Sequence, residues 1–345
     1  MEVYIGMDVS MQETQLCVVD GDGKIQHEGR AGSDPRSLQK HIEERAKHWQ
    51  IKRIGLETGP LSSHLLKGLQ DAGFPVVCMD ARHAHGVLKA QRVKTDRNDA
   101  RGLAQLVRTG WYKAVHVKSA EGQKLRTLLA ARKQLVKLRL DMENHVRGTL
   151  KAFGIKLGAV TQSGFRQKVE EAASTQDALV RQALEALMEA RQGLLCREKD
   201  LEKACKSVVK EDAVCQRLMS IPGVGPVTAL SYKAEIDDPA RFSKSRDVGV
   251  HLGLTPRRYA SGEIDRTGGI SKCGNRALRV LLFEAAVVLL SRSRKWSRLK
   301  HWGIEIARRS SFRTAAAAVA RKLAVIMHRM WIDKTEFAYG AEKAA

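Results

Sequence analysis

Four acidic residues stand where their carboxylates could bind divalent metal ions. Asp8 lies in the apolar run Val-Tyr-Ile-Gly-Met-Asp-Val, Glu57 ends Arg-Ile-Gly-Leu-Glu, and Asp96 and Asp99 belong to Lys-Thr-Asp-Arg-Asn-Asp-Ala. Magnesium prefers hard oxygen ligands, and two such ions held by shared carboxylates can stabilise the attacking and leaving oxygens of a phosphoryl transfer. We therefore predict a Mg²⁺ site, with Mn²⁺ as a substitute, at Asp8, Glu57, Asp96 and Asp99.

The first third of the chain contains the elements that must bring these acids together. Residues 3–9 and 14–20 are predicted strands, and Asp-Gly-Asp-Gly at 20–23 predicts a hairpin to a third strand over 24–28. A helix over 34–49, a strand over 52–57, a helix over 60–72 and a strand over 75–79 follow. Thr95 is the predicted N-cap of a helix that reaches Val107, with Gly110 just past its end. This order is typical of an α/β ribonuclease-H-like fold.

The pair Asp96 and Asp99 lies three residues apart on this helix and shares one face. Lys94 and Arg97 lie beside the pair. Their cationic side chains either contact phosphate or offset the charge of the acids.

The middle of the chain is predicted to be helical. Leucines recur at helical spacing among Lys and Arg over 119–150, and again over 177–209. Two long helices joined by a turn form either an antiparallel hairpin or a coiled-coil dimer element, and a solvated connector is the plainer alternative.

A mainly α-helical third part begins at Ser220. Ile-Pro-Gly-Val-Gly-Pro over 221–226 resembles the turn of a helix-hairpin-helix module, in which Gly223 and Gly225 let backbone amides approach a phosphate. A plain turn between helices is the alternative. Further helices are predicted over 275–290 and 311–331. The predicted domains are 1–115 with the acids, 116–215 as helical connector, and 216–345.

Ser261 is a candidate nucleophile in the third part. It precedes Gly262 in a loop, and guanidinium groups nearby would stabilise the charge that develops on phosphorus during attack. The cationic residues of this cluster are Arg257, Arg258, Arg266 and Lys272. Ser-Gly is also a common dipeptide in ordinary turns. His251 lies ten residues upstream and is not assigned as a general base. Three other serines keep the choice of nucleophile open: Ser243, Ser245 and Ser271.

The charge of the chain indicates a polyanionic partner. Among 345 residues the net charge is +22, and the stretch from Arg241 to Arg309 holds 16 Lys and Arg against 5 Asp and Glu. Nucleic acid is the expected partner, and few aromatic residues in this stretch favour backbone contacts over base stacking. A membrane surface is the competing polyanion, but no apolar run of about 18 residues and no signal peptide are found. We expect a cytoplasmic, nucleoid-associated protein.

The six cysteines lack the spacing of metal ligands or of a disulfide framework, and they are expected to be free thiols.

Taken together, these segments resemble the DEDD-type insertion-sequence transposases, also called bridge-RNA-guided recombinases. The similarity covers nearly the whole chain. It rests on Ile-Gly-Met-Asp-Val-Ser, Leu-Glu-Thr-Gly-Pro, Lys-Thr-Asp-Arg-Asn-Asp-Ala, Ile-Pro-Gly-Val-Gly-Pro, Leu-Gly-Leu-Thr-Pro-Arg, Ser-Gly and Gly-Gly-Ile-Ser-Lys-Cys-Gly-Asn, in this order.

The resemblance implies a RuvC-like domain, a coiled-coil connector and a C-terminal transposase domain. By the same resemblance, Asp8, Glu57, Asp96 and Asp99 form the DEDD set, and Ser261 forms a covalent phosphoserine with cleaved DNA. It further implies strand exchange between donor and target DNA under a bridge RNA, in a homo-oligomer, dimer or tetramer, whose subunits complete one another's sites.

Two other functions remain open from sequence. The first is a RuvC-like junction nuclease, in which water attacks and the serine only binds phosphate. The second is a non-catalytic nucleic-acid scaffold, for which four converging acids would serve no purpose.

Overall fold

The computed structural model describes residues 1–89 and 93–340, which fall into two compact units, Met1–Lys118 and Ser119–Ala345. The three-domain division at 115 and 215 stays a prediction, and its residues 90–92 and 341–345 lie outside the described part of the chain.

The first unit is a mixed α/β sheet with helices on both faces. Its strands are β1 (Glu2–Val9), β2 (Glu13–Asp20), β3 (Ile25–Gly32), β4 (Gln50–Glu57) and β5 (Val76–Met79). Its helices are α1 (Pro35–Glu43), α2 (Ser62–Asp71), α3 (Ala81–Leu88) and α4 (Asp96–Thr109).

The strand order in the sheet is β3-β2-β1-β4-β5. Strands β1, β2 and β3 are antiparallel neighbours, whereas β4 and β5 run parallel to β1. This topology is consistent with the predicted ribonuclease-H-like fold. The five strands and the Thr95 cap of α4 are confirmed, since the Thr95 hydroxyl accepts a hydrogen bond from the Asn98 amide at 3.2 Å.

Residues alternate between the two faces of the sheet, as the pleat requires. Val3, Ile5 and Met7 of β1 join one buried cluster that includes side chains of α1 and α2. Gly6 and the neighbouring Gly55 of β4 face α4 instead. The sheet therefore packs against α1 and α2 on one face and against α4 on the other.

Helix α4 rests directly on the sheet because of these two glycines. A Cβ atom at Gly6 would lie 2.2 Å from the Ala104 amide nitrogen and 2.4 Å from the Ala100 carbonyl oxygen. At Gly55 a Cβ would lie 2.1 Å from a methyl group of Val107. Glycine therefore allows a helix-to-sheet approach that any side chain would prevent.

One prediction in the first unit was wrong in detail, and one helix was missed. The helix expected to reach Trp49 ends at Glu43, and a 3₁₀ turn over Ala46–His48 follows. The turn lets the Gln50 amide donate to the Met1 carbonyl at 2.8 Å and so begin β4. Helix α3 was not predicted; it is only 8 residues long and has a single buried residue, Ala84.

The second unit is mostly helical. Its elements are α5 (Ala120–Ala152), α6 (Phe165–Ala173), α7 (Ala178–Glu211), α8 (Ala213–Met219), α9 (Pro226–Ile236), α10 (Ser245–His251), β6 (Pro256–Ser261), β7 (Ile264–Ile270), α11 (Arg276–Ser291), α12 (Arg298–Arg309) and α13 (Phe312–Ile332). Its main core combines α8, α9, α11 and α13 with one end of the pair α5 and α7. The short elements α6, α8, α10, α12 and the hairpin β6–β7 were not predicted from sequence.

Helices α5 and α7 pack against each other as an antiparallel hairpin within one chain. Arg139 of α5 binds Glu198 of α7 at 2.9 Å, and Glu143 of α5 binds Arg191 of α7 at 2.7 Å. Arg191 is 2% exposed, and its guanidinium also donates to the Gln162 carbonyl at 2.8 Å. These buried cations are thus fully paired, as burial of charge requires. A coiled-coil dimer through this hairpin stays a prediction.

The turn between α8 and α9 contains both glycines predicted to bind phosphate. Gly223 has φ of 90°, and a Cβ there would lie 2.5 Å from the Ala285 carbonyl oxygen of α11. Packing therefore explains glycine at 223 without a phosphate. Gly225 is the N-cap residue of α9 and has open space around it. Phosphate binding by this turn stays a prediction.

None of the helices within the described ranges is both long and apolar enough to cross a lipid bilayer.

Gly6→Ala is expected to destabilise the protein by about 1–3 kcal/mol, because the new methyl group overlaps the backbone of α4. Chemical denaturation measures the free energy of unfolding. Gly86→Ala in α3 is the matched control, since no atom lies within 4 Å of a Cβ there, and alanine favours a helix. A Gly6→Ala protein as stable as wild type would contradict the packing of α4 on β1.

Candidate metal centre and serine hairpin

Asp8 and Glu57 lie at the carboxyl ends of two adjacent parallel strands. The register of β1 and β4 pairs Met7 with Leu56, so the next residue of each strand is one of these acids. Both are half-buried. Alternation along the strands places both on the face that α4 covers, opposite the cluster that contains Met7 and Leu56.

Asp96 and Asp99 occupy the first turn of α4. Acids in a first turn are favoured by the helix dipole. Asp96 and Ala100 lie one turn apart on the helix face that contacts Gly6. The contact with the sheet therefore directs this turn toward Asp8.

The electrostatics of Asp8 and Glu57 show that the four acids share one neighbourhood. Burial, as the largest cause, and the charges of Asp96 and Asp99 together raise the pKa of Asp8 to about 6. Burial, again the largest cause, and the charges of Asp8 and Asp99 together raise the pKa of Glu57 to about 7. Lys94 acts on both pKa values in the opposite direction.

Asp8 borders two open cavities. One, of about 450 Å³, lies between the ends of β1 and β4 and is lined by both Asp8 and Glu57. The other, of about 370 Å³, is lined by Asp8 and Asp96. Within residues 1–89 and 93–340, no three acids, histidines or cysteines lie close enough together to hold one metal ion in common. Coordination by more than two of the carboxylates therefore requires rotation of their side chains or a shift of the first turn of α4.

Arg97 does not pair with the acids beside it in the sequence. Its guanidinium binds Glu28 of β3, with the Nε atom 2.9 Å from the carboxylate. Arg101 binds the same carboxylate at 2.7 Å. These hydrogen bonds lower the pKa of Glu28 to about 2, with the bond from Arg101 as the largest cause. Glu28 was missed from sequence, because nothing along the chain connects β3 to α4.

Ser261 ends strand β6 at the tip of an exposed hairpin. Gly262, with φ of 56°, and Glu263 form the turn to β7. Arg258 of β6 and Asp265 of β7 form a bidentate ion pair across the two strands. The Arg258 Nε and Nη2 atoms donate to the two carboxylate oxygens at 2.8 and 2.7 Å. An exposed hydroxyl at a hairpin tip can approach a long polymer more easily than one buried in a cleft.

The other predicted cations divide between the hairpin and its base. Arg266 is exposed on β7, where it is aligned with Tyr259. Arg257 donates to the Ser271 carbonyl at 3.2 Å. Lys272 has φ of 59°, and its amide donates to the Gly253 carbonyl at 3.0 Å. The base of the hairpin is thus fixed by backbone contacts.

A polar cluster missed from sequence lies beneath this base. Glu235 is 8% exposed and accepts a hydrogen bond from the Asn275 amide group at 2.8 Å. The Nε2 atom of His251 lies 3.2 Å from the other Glu235 oxygen. Because Asn275 also caps α11, the cluster links three helices. The only sequence signal for it is a charged residue within the apolar helix α9.

The three alternative serines differ in their surroundings. The Ser245 hydroxyl lies 2.9 Å from the Nδ1 atom of fully buried His328, so it has a structural role. The Ser271 amide donates to the Thr255 carbonyl at 2.8 Å at the hairpin base. Ser243 is exposed. Ser261 and Ser243 therefore present the more accessible hydroxyls of the four.

Two family models match the chain. Residues 5–155 match the DEDD transposase family of the IS110 type, and residues 215–301 match the transposase family IS116/IS110/IS902. The first match contains all four acids, and the second contains Ser261.

Similar proteins are insertion-sequence transposases. The chain is 29% identical to the transposase for insertion sequence element IS1111A of Coxiella burnetii, over 98% of this chain and 92% of that protein. It is 30% identical to the transposase for insertion sequence element IS1328 of Yersinia enterocolitica, over 82% of this chain and 84% of that protein. A probable family 20 transposase of Pseudomonas aeruginosa is also 30% identical, over 79% of this chain and 82% of that protein. The chain therefore belongs to the DEDD-type insertion-sequence transposases of the IS110/IS116 family, enzymes that cut and rejoin DNA.

Proposed function

We propose that this transposase cuts DNA by attack of Ser261 on a phosphodiester, with Mg²⁺ bound by Asp8, Glu57, Asp96 and Asp99. The observation that carries the proposal is the position of Asp8 and Glu57 at the ends of two adjacent parallel strands, where the pKa values of both are raised by burial and by neighbouring acids, Asp99 among them. Asp8 and Glu57 are half-buried and have raised pKa values, so keeping both as ionised carboxylates is costly, and a functional cation is a reason for their presence.

The donor set fits a hard divalent cation. A DEDD-type domain indicates use of a divalent metal in general. Carboxylate oxygens are ligands of Mg²⁺ and Mn²⁺, and the cavities beside Asp8 leave room for water ligands and a phosphate. When bound, the cation would stabilise negative charge on the phosphoryl oxygens and on the leaving oxygen.

The serine step transfers the phosphoryl group without net hydrolysis. The Ser261 Oγ atom forms a bond to phosphorus as its proton passes to water. The bond from phosphorus to a deoxyribose oxygen breaks, and that oxygen takes a proton from water. Attack by the hydroxyl of another strand reverses these changes and rejoins DNA. Arg257, Arg258, Arg266 and Lys272 supply positive charge for the phosphates.

The excess of positive charge supports more than one nucleic-acid partner. The proposed partners are donor DNA, target DNA and a bridge RNA, bound by a dimer or tetramer of this chain. The net charge of +22 supports such binding, because each neutralised phosphate releases counterions. Lys94, Gly223 and Gly225 are further proposed contacts with phosphates. Arg97 keeps 61% of its side chain exposed beside Glu28, so it can also reach a phosphate.

Ser261→Ala is expected to abolish both the covalent protein–DNA adduct and strand exchange. The assay combines the protein, RNA transcribed from the element and end-labelled DNA, and resolves the products on a denaturing gel. Ser243→Ala is the matched control and should retain the adduct. Cleavage that persists in Ser261→Ala, with no adduct even in wild type, would instead indicate a junction nuclease that uses water.

Asp8→Asn is expected to lower DNA cleavage by about 100-fold or more, because it removes a carboxylate that borders both cavities. Single-turnover cleavage in Mg²⁺ or Mn²⁺ measures the effect. DNA binding measured in parallel should change little. Unchanged cleavage in this variant would remove the metal site from the mechanism.

Stability is expected to fall as pH rises from about 4 to about 7 when a chelator is present. Asp8 and Glu57 have pKa values of about 6 and 7 in the folded chain, against ordinary values of 3.8 and 4.5. The folded state therefore binds more protons between about pH 4 and 7, and stability decreases with pH there. Thermal denaturation at pH 5 and pH 8 tests this, and Glu57→Gln should reduce the difference.

Asp22→Asn, at an exposed turn, is the control for this measurement and should leave the pH dependence as in wild type. Addition of Mg²⁺ at pH 8 should raise the melting temperature of wild type more than that of Glu57→Gln. An equal pH dependence in wild type and Glu57→Gln would contradict the coupling of these acids.

A further inference from the structure

Glu28 lies outside the four acids, yet it is bound to the helix that carries two of them. It is aligned with Cys17 in the pair β2–β3, and only 13% of its side chain is exposed. Arg97 and Arg101 lie one turn apart on α4, and both donate hydrogen bonds to the Glu28 carboxylate. Arg101 binds both oxygens, through Nε at 2.7 Å and Nη2 at 3.0 Å.

Helix α4 contacts the sheet and its loops at three places along its length: its C-terminal end, its middle and its first turn. Its far end is held where Gln105 donates to the Gly23 carbonyl at 2.8 Å and Arg108 donates to the Gly21 carbonyl at 3.0 Å. Its middle rests on Gly6. Its first turn, which contains Asp96 and Asp99, is joined to the sheet through Arg97 and Glu28.

The contact with Glu28 also determines where the guanidinium groups of Arg97 and Arg101 lie. Arg97 lies between Asp96 and Asp99 in the sequence, so its positive charge is carried by the same first turn of α4 as the two carboxylates. An arginine paired with those acids would occupy the oxygens that a cation needs. Because Glu28 accepts hydrogen bonds from both arginines, their guanidinium groups point to β3 instead.

We infer that Glu28 is a positioning residue for the four-carboxylate site. It holds the first turn of α4 on the sheet, and it keeps Arg97 and Arg101 from pairing with Asp96 and Asp99. This inference rests on the proposed metal site. Glu28 itself is not proposed to bind the metal.

The test measures Mn²⁺ binding by titration calorimetry and backbone hydrogen exchange of residues 96–101 in a chelator. Glu28→Gln nearly preserves shape and removes the charge, whereas Glu28→Ala removes the contact. Both should weaken Mn²⁺ binding by about tenfold or more, as is common for residues that orient metal ligands. Both should also speed exchange in the first turn of α4.

A triple variant separates the two roles of Glu28. In Glu28→Ala/Arg97→Gln/Arg101→Gln, no guanidinium remains to compete for the acids. Mn²⁺ affinity should recover at least threefold relative to Glu28→Ala, while exchange over residues 96–101 stays fast. A general loss of structure would not give this recovery. Circular dichroism verifies folding of each variant.

Glu2→Gln is the matched control, because Glu2 forms an exposed ion pair with Lys52 at 2.7 Å at the opposite end of β1. It should leave Mn²⁺ binding and exchange unchanged. Wild-type affinity in both Glu28→Gln and Glu28→Ala, with binding lost in Asp8→Asn, would overturn the role of Glu28 and leave the metal site intact. Failure of wild type to bind Mn²⁺ would overturn the metal site and this inference together.

Discussion

The close approach of α4 to strands β1 and β4 is the constraint on which the acidic site depends. Gly6 and Gly55 stand side by side on adjacent strands, and each leaves space that helix atoms fill. The helix can then place Asp96 and Asp99 near the strand ends that carry Asp8 and Glu57. A side chain at Gly6 would lift the helix and separate the acids, so packing and the site have the same physical origin.

Four acids close together lower the stability of the folded chain, because their negative charges repel one another. Ion pairs elsewhere on α4 offset part of this loss in the first unit. Burial and mutual repulsion raise the pKa values of Asp8 and Glu57, so each ionised carboxylate disfavours the folded chain near neutral pH. Glu28, in contrast, is fully paired and holds the helix in place. Favourable ion pairs on one side of α4 thus accompany unfavourable charge on the other, as is common at functional sites.

In the second unit, the exposed hairpin β6–β7 carries Ser261 at its tip, and the residues at the start of β6 and the end of β7 are held by packed helices. Glu235 and Asn275 join helices beneath the hairpin, and backbone contacts at Gly253 leave no space for a side chain against Cys273. The strands above this base bury almost nothing. A hairpin without its own core is stable only when it is anchored, so the position of Ser261 depends on the cluster below it.

Sequence by itself determined the strands of the first unit, the cap at Thr95 and the four acids, because strand periodicity, capping chemistry and acids in apolar runs are local properties. The two long helices were equally local. Tertiary structure alone decided that Arg97 turns to Glu28, and that Gly223 packs on α11. It also decided that Ser261 stands at the tip of an exposed hairpin, since that pairing joins residues without a strong apolar alternation. These contacts unite segments far apart in the chain, and their energies depend on burial and geometry that no local pattern specifies.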